Sequence, residues 1–145
     1  MNSTTENAET QRTTGPAGNT TVSRKMLWAG RIMSALPVLM LLFSASMKLA
    51  KPPMVVEGLA KSGIPEHLAF GIGILELACT ILYVIPQTAV LGAILLTGYL
   101  GGAIMTHLRV GEAWIGPFVF GVFIWGGLFL RDPRLRALIP LRRPR

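Results

Sequence analysis

Glu76 is the residue whose chemistry fits its surroundings least, because it is a carboxylate inside a long apolar segment. The segment runs from about residue 71 to residue 105, and Glu76 is its only charged residue. A lone carboxylate in hydrocarbon is unfavourable unless it pairs with a cation or takes up a proton. Ionisable groups at such a depth commonly line a path for ions or protons, or a ligand site. Glu76 is therefore the first candidate for a functional residue.

Two further ionisable residues, Lys48 and His107, are predicted to lie at the depth of Glu76. Lys48 is near the end of the first apolar helix, and His107 is at the end of the third, followed by Arg109. Glu76 is about ten residues into the second helix, which is roughly 15 Å from its start. Because side chains lean toward the N-terminus of their own helix, all three groups point toward one level. Lys48 is the first partner expected for Glu76, and His107 is the alternative.

The residues beside Glu76 on its own helix predict that this face is turned inward. Gly73, Thr80 and Tyr83 stand at i−3, i+4 and i+7, so they form a small and polar stripe with the carboxylate. Two interpretations of the cluster stay open. It is either a buried polar pin that fixes helix register, or a site for a ligand, a proton or a quinone headgroup. The candidate pocket residues are Lys48, Glu76, Thr80, Tyr83, His107 and Arg109.

A metal centre and a disulfide are both disfavoured by the sequence. Cys79 is the only cysteine, so neither an intramolecular disulfide nor a CxxC pair is available. The few potential metal ligands are too scattered to suggest a site. Cys79 is therefore predicted to be a small buried side chain, and no cofactor can be assigned from the residues.

Four apolar segments must position these groups, and they predict an all-α fold, a four-helix transmembrane bundle. A helix of about 20 residues spans a hydrocarbon core of about 30 Å. Pro86 and Gln87 join the second and third segments as an antiparallel hairpin. The bundle is predicted to occupy residues 26–131. Its spans are predicted at about 27–49, 66–85, 88–106 and 113–130.

The sequence also predicts a short helix outside the four spans and a row of small residues on the third span. Residues 54–61 predict a short amphipathic helix in the first outer loop, closed by Gly63 and Pro65. The third span carries a GxxxG pair, Gly98 and Gly102, beside a second row of small residues. Such rows let helices approach closely in lipid, so we expect them to pack inside this bundle. A homo-oligomer formed through the same face is the alternative.

The two ends of the chain are predicted to lie outside the bundle. Residues 1–25 are polar and are expected to form a disordered tail. Cleavage after the Ser44-Ala45-Ser46 sequence is the competing interpretation, and the long polar lead argues against it. Residues 132–145 form a basic tail, in which leucines between arginines suggest a short helix on an anionic surface.

Composition and charge also indicate a membrane protein. The chain is 51% hydrophobic and 14% charged, whereas soluble domains carry about 25% charged residues. The net charge of the chain is +7, and its lysines and arginines are concentrated at the ends of apolar segments. This distribution indicates the orientation of a membrane protein and does not indicate a nucleic-acid-binding surface. The most basic ends are the two termini, which predicts that both are cytoplasmic, although the facing turns are also basic.

Several sequence stretches together resemble the DoxX-like family of membrane proteins. They are FSASMKLAKPP (43–53), GILELACTILYVIP (73–86), LGAILLTGYLGGAIMTHLRVG (91–111) and LFLRDPRLRAL (128–138). The resemblance covers about residues 26–140 and implies a four-helix protein of the bacterial inner membrane. It also implies that Lys48, Glu76, His107 and Arg109 match the recurring polar positions of the family.

The family takes its name from a subunit of a thiosulfate:quinone oxidoreductase, and some relatives are tied to membrane redox complexes. By this analogy alone, a quinone is a possible cofactor or ligand. We expect an accessory or ligand-binding membrane subunit that works in the bilayer, with another membrane or redox subunit as partner. One alternative is a quinone-linked oxidoreductase subunit that uses Glu76 and His107 for proton transfer. Another is a small-molecule or proton carrier.

Overall fold

The computed structural model of the protein describes residues 23–138, and within them it contains helices and no strand. The predicted all-α class is confirmed. The predicted disordered tail lies outside the described residues, except that Arg24 and Lys25 already belong to the first helix. The described helices are α1 (Arg24–Ala50), α2 (Pro53–Lys61), α3 (Glu66–Val84), α4 (Ala89–Val110), α5 (Ile115–Arg131) and α6 (Pro133–Leu138).

The helices α1, α3 and α4 are long and apolar enough to cross a membrane, and α5 is an apolar helix of 17 residues. Their outward faces carry large apolar side chains, among them Ile32, Leu39 and Phe43, each more than 60% exposed. So extensive an apolar surface suits hydrocarbon and not water. The structure therefore fits the predicted helical membrane bundle.

The four long helices surround a common core in a ring. α1 packs against α3 and α5, and α4 packs against the same two helices from the opposite side. The short α2 rests on α3, while α6 folds back against α5. Cys79 is buried in this core, as predicted. The largest side chains with almost no exposure are Tyr83, Leu96, Ile124, Leu128, Glu76 and Thr80.

Glycines mark the points where helix backbones come closest. A Cβ on Gly73 of α3 would lie 3.1 Å from Lys48 Cβ on α1, and one on Gly92 of α4 would overlap the backbone of Tyr83. A Cβ on Gly127 of α5 would collide with Ser34 of α1. The close α1–α3 crossing at Gly73 lies immediately beside Lys48.

The prediction that the small residues of α4 pack inside the bundle holds for Gly92 and Ala93, which are buried, and is wrong for the GxxxG pair and Gly101. Gly98, Gly101 and Gly102 are exposed, and a Cβ added to any of them would meet no atom within 4 Å. The reason is that α4 turns a different face, with Leu96 and Leu100, toward the core. The glycines instead line two clefts on the outside of the helix.

Candidate functional site

Lys48 and Glu76 form an ion pair between α1 and α3. Lys48 Nζ lies 2.9 Å from Glu76 Oε2, and the Glu76 residue is only 1% exposed. Ser44 completes the cluster, because it accepts a hydrogen bond of 2.6 Å from Lys48 Nζ and donates one of 3.3 Å to Glu76 Oε2. Of the two partners that the sequence suggested for Glu76, the structure places Lys48 against the carboxylate.

The local sequence explains why the pair forms at this level. Ser44 precedes Lys48 by one helical turn, so both side chains lie on the same face of α1. Gly73 precedes Glu76 by almost one turn on α3 and lets α1 approach closely. The hydroxyl of Tyr99, on α4, lies near the same carboxylate. The buried charge is thus surrounded by polar groups from the two neighbouring helices, α1 and α4.

A cavity of about 530 Å³ lies beside this cluster, between α2, α3 and α4. The amphipathic helix α2 supplies one wall with residues at i, i+3, i+4 and i+7, a single helical face. Two adjacent rows of α4 form the facing wall, and each row advances by four residues. The lining residues from these helices and from the turn between α2 and α3 are Val55, Gly58, Leu59, Ser62, Ile64, Ile72, Leu75, Gly98, Tyr99, Gly102, Ala103, Thr106 and His107.

Ionisable side chains gather where α1 and α4 end. Lys48 lines the cavity and its side chain is 17% exposed, so it joins the buried carboxylate to this space. His107 also lines it, and its Nδ1 lies 2.7 Å from the carbonyl oxygen of Ala103. Because a carbonyl can only accept, Nδ1 carries the proton and Nε2 is left for another partner. Glu112 completes this end, held by Gly111, which ends α4 with a φ of 71°.

The deeper part of the cavity is apolar and has room for a flat or chain-like group. Ile72 and Leu75 of α3 supply branched side chains there, while Gly98 and Gly102 leave the α4 backbone bare. The glycines therefore create volume between helices. A molecule with a polar head near Lys48 and an apolar body along these glycines would match both ends of the cavity.

The remaining predicted site residues lie elsewhere. The hydroxyl of Thr80 donates to the backbone carbonyl of Glu76 at 2.7 Å and is fully buried. Tyr83 donates to the Ile124 carbonyl at 2.8 Å and lies 2.9 Å from Ser34 Oγ. Neither residue lines the cavity, and Tyr83 joins three helices nearer the other end of the bundle.

Arg109 lies outside the cavity as well. It is exposed, and its guanidinium approaches the turn after α2, 3.8 Å from the Cβ position of Gly63. The predicted cluster is therefore divided by the structure: Lys48, Glu76 and His107 gather at or beside the cavity, and Arg109 stands at its periphery.

Several residues of the site were not singled out from the sequence. Ser44 could have been found as the polar residue one turn before Lys48. Tyr99 could have been found as the residue two i+4 steps before His107. The cavity-facing side of α2 repeats at helical spacing, but no pattern in the chain says which helix it faces.

A second cleft, of about 660 Å³, lies between α4 and α5 but contains no ionisable side chain. Thr97 and Trp125 are its main polar groups, and they are hydrogen bonded to each other at 2.8 Å. We therefore place the candidate site in the smaller cavity, where charge and apolar surface meet. Among residues 23–138, no group of three or more His, Cys, Asp or Glu is placed to hold a metal ion.

Comparison with known proteins yields one family. The model of the DoxX-like family matches residues 32–127, which include Lys48, Glu76, His107 and Arg109. No curated protein and no solved structure matches the chain significantly. The match covers more than half of the chain and agrees with the resemblance carried by the four sequence stretches.

Proposed function

The chain belongs to the DoxX-like family and is a multi-pass integral membrane protein, and from this premise we propose that it binds a small lipid-soluble ligand. The site is the cavity between α2, α3 and α4. One observation carries the proposal. Lys48 and His107 line the same cavity as an apolar wall that contains Gly98 and Gly102. A cavity that is only a packing defect would not need charged groups at one end.

The donors and acceptors around the cavity define the class of ligand. Lys48 brings an ammonium to the cavity wall, and Nε2 of His107 can accept a hydrogen bond. A head with carbonyl or hydroxyl oxygens fits these partners, and an apolar ring or chain fits the space beside Ile72 and Leu75. Quinones have this chemistry, so they are the first compounds to test. The proposal concerns binding and includes no redox step.

The Lys48–Glu76 pair supports this role without being a ligand-binding group in itself. Glu76 is too enclosed to meet a ligand, since it is 1% exposed. Its carboxylate holds the ammonium of Lys48 beside the cavity, and the Lys48 side chain as a whole is 17% exposed. Glu76 is therefore a positioning residue. The Lys48–Glu76 pair can therefore fix the register of α1 and α3 and also position Lys48 for a ligand, so the two interpretations of the sequence are compatible.

We further propose that the protein resides in a bacterial inner membrane with both termini in the cytoplasm, as an accessory subunit of a larger membrane assembly. The positive-inside rule supports the orientation, because the terminal end of the bundle holds more lysine and arginine than the Lys48 end. The family takes its name from a subunit of a membrane oxidoreductase, and this analogy supports an accessory role.

Retention of small molecules by the purified protein tests the binding proposal. The full chain is purified in mild detergent, and bound lipid-soluble molecules are extracted and quantified by mass spectrometry. We expect a compound other than bulk phospholipid at near-equal molar amount, and its loss in His107→Ala. The control, Arg109→Ala, removes a basic side chain of the same helix end outside the cavity and should retain the compound. Equal retention in both variants, or only bulk phospholipid in the wild type, would overturn the proposal.

A further inference from the structure

The end of the bundle where α1 begins and α5 ends is strongly basic. Asp132 is the only acidic residue of the described chain at this end, and its Oδ1 accepts a hydrogen bond of 2.9 Å from the backbone N–H of Arg134. Within residues 23–138, the only ion pair is Lys48–Glu76 at the opposite end. The basic residues gathered here are Arg24, Lys25, Arg31, Arg131, Arg134 and Arg136.

The helix α6 places Arg136 against the first turn of α1. Leu135 is only 6% exposed, so it anchors α6 to the bundle. Arg136 then reaches across to α1, where its Nη1 lies 3.4 Å from the Met26 sulfur. Met26 directly follows Arg24 and Lys25, so the basic first turn of α1 lies at the same end of the bundle as α6.

Arg136 is positioned by the protein but not neutralised by the residues that the structure describes. A thioether sulfur is a weak acceptor for a guanidinium, which offers five N–H donors. Its Nε is buried and has no hydrogen-bond partner among residues 23–138. Unpaired buried donors are rare in proteins and call for a specific explanation. Because Arg136 as a whole is half-buried, an anion at this surface would be met by the N–H groups of its two Nη atoms.

The same surface also presents apolar and aromatic groups, which indicates the source of the anion. Trp28 is 56% exposed and has the Arg31 guanidinium 5.9 Å from its ring centre, an arrangement suited to the headgroup level. Leu138 of α6 is 77% exposed beside the arginines. A mixed surface of this kind fits the boundary between lipid phosphates and acyl chains better than it fits a soluble anion.

We propose that this end of the bundle binds the phosphate of an anionic phospholipid, through Arg134 and Arg136 of α6 together with the basic first turn of α1. The site is separate from the cavity beside Lys48 and does not depend on the ligand proposed there. Arg131 plays a different part, because its guanidinium is turned inward onto the Tyr83 ring at 4.8 Å and donates to the Tyr83 carbonyl.

Lipid titration of the purified full chain in detergent tests this site. The probes are dioleoyl-phosphatidylglycerol, dioleoyl-phosphatidylcholine and inorganic phosphate, with bound lipid counted by native mass spectrometry and stability followed by thermal unfolding. We expect phosphatidylglycerol to bind more tightly and to raise the midpoint of unfolding. Arg134→Gln and Arg136→Gln should each weaken its binding about fivefold, the loss typical of one basic residue at a lipid surface. Arg109→Gln, which removes the same charge at the opposite end, should leave it unchanged.

Three results would overturn the proposal. Equal binding of phosphatidylcholine would remove the role of lipid charge, and equal weakening by Arg109→Gln would reduce the effect to diffuse attraction. Equal stabilisation by inorganic phosphate would make the site one for a free anion. If Arg136→Gln fails to fold, Arg134→Gln decides, because Arg134 is exposed and its side chain makes no hydrogen bond to residues 23–138.

Discussion

At the scale of the residue, the central feature is a carboxylate that would be energetically unfavourable in the membrane without a partner. Glu76 is stabilised by the ammonium of Lys48 and by the hydroxyl of Ser44, at 2.9 and 3.3 Å from its Oε2. Buried ion pairs add little net stability, since desolvation offsets much of the attraction, but breaking one leaves a costly lone charge. The two partners differ, however, because Lys48 keeps some access to the cavity and Glu76 has almost none.

This difference predicts an asymmetric double-mutant cycle for Lys48→Met and Glu76→Gln. Lys48→Met should lower the free energy of unfolding by about 3–5 kcal/mol, because it leaves an uncompensated buried carboxylate. Glu76→Gln should cost less, since the Lys48 ammonium can turn toward the cavity. The double variant should recover much of the loss. The free energy of unfolding is measured in detergent for the wild type, the two single variants and the double variant. Strictly additive losses would show that the pair is not coupled.

At the same scale, the sequence could predict the pair but not its full surroundings. Helix direction and the lean of side chains bring Lys48 and Glu76 to one level, and the structure has them in contact. The sequence does not predict that Tyr99 lies near Glu76, because this contact depends on how α4 is rotated about its axis. In a helix that is apolar on every side, the local pattern does not fix that rotation.

At the scale of the element, α4 uses its glycines for two opposite purposes. Gly92 sits where the backbone of α3 crosses so closely that a Cβ would overlap Tyr83. Gly98 and Gly102 meet nothing within 4 Å and leave open space in the cavity. The GxxxG spacing is typical of close packing between helices. The spacing alone cannot distinguish such a contact from an open space beside the helix.

The same substitution at two of these glycines should therefore have opposite effects on stability. Gly92→Ala should lower the free energy of unfolding by about 1–3 kcal/mol, since the added methyl must displace backbone. Gly98→Ala should be neutral or stabilising by up to about 1 kcal/mol, because alanine is the better helix former and the space is free. Thermal unfolding of the two purified variants makes the comparison. A loss at Gly98 as large as that at Gly92 would contradict the arrangement of α4.

At the scale of the whole molecule, the bundle has two chemically different ends. One end carries the cavity under α2, and the other carries the basic surface formed by α1 and α6. The all-α class and the apolar spans follow from composition and from the length of the apolar segments. The placement of α2 and α6 could not be predicted, because short amphipathic helices take their position from the groove that receives them.

The proposed orientation predicts opposite labelling of the two ends in intact cells. In a Cys79→Ala background, Ala60→Cys on α2 should react with a membrane-impermeant maleimide added outside. Ala137→Cys on α6 should react only after the membrane is opened. The two sites are matched, since both are exposed alanines on short helices. Reaction of Ala137→Cys in intact cells without that of Ala60→Cys would reverse the orientation.

The most direct test of the ligand cavity is to fill it without disturbing the fold. Gly98→Leu places a side chain in the cavity beside Lys48, whereas Gly101→Leu places the same side chain in the cleft between α4 and α5. Neither position has an atom within 4 Å of the added Cβ, so both variants should unfold near the wild-type temperature. The measurement is the amount of lipid-soluble small molecule retained per purified protein. We expect Gly98→Leu to lose the compound and Gly101→Leu to keep it, and retention by both would contradict a ligand site in this cavity.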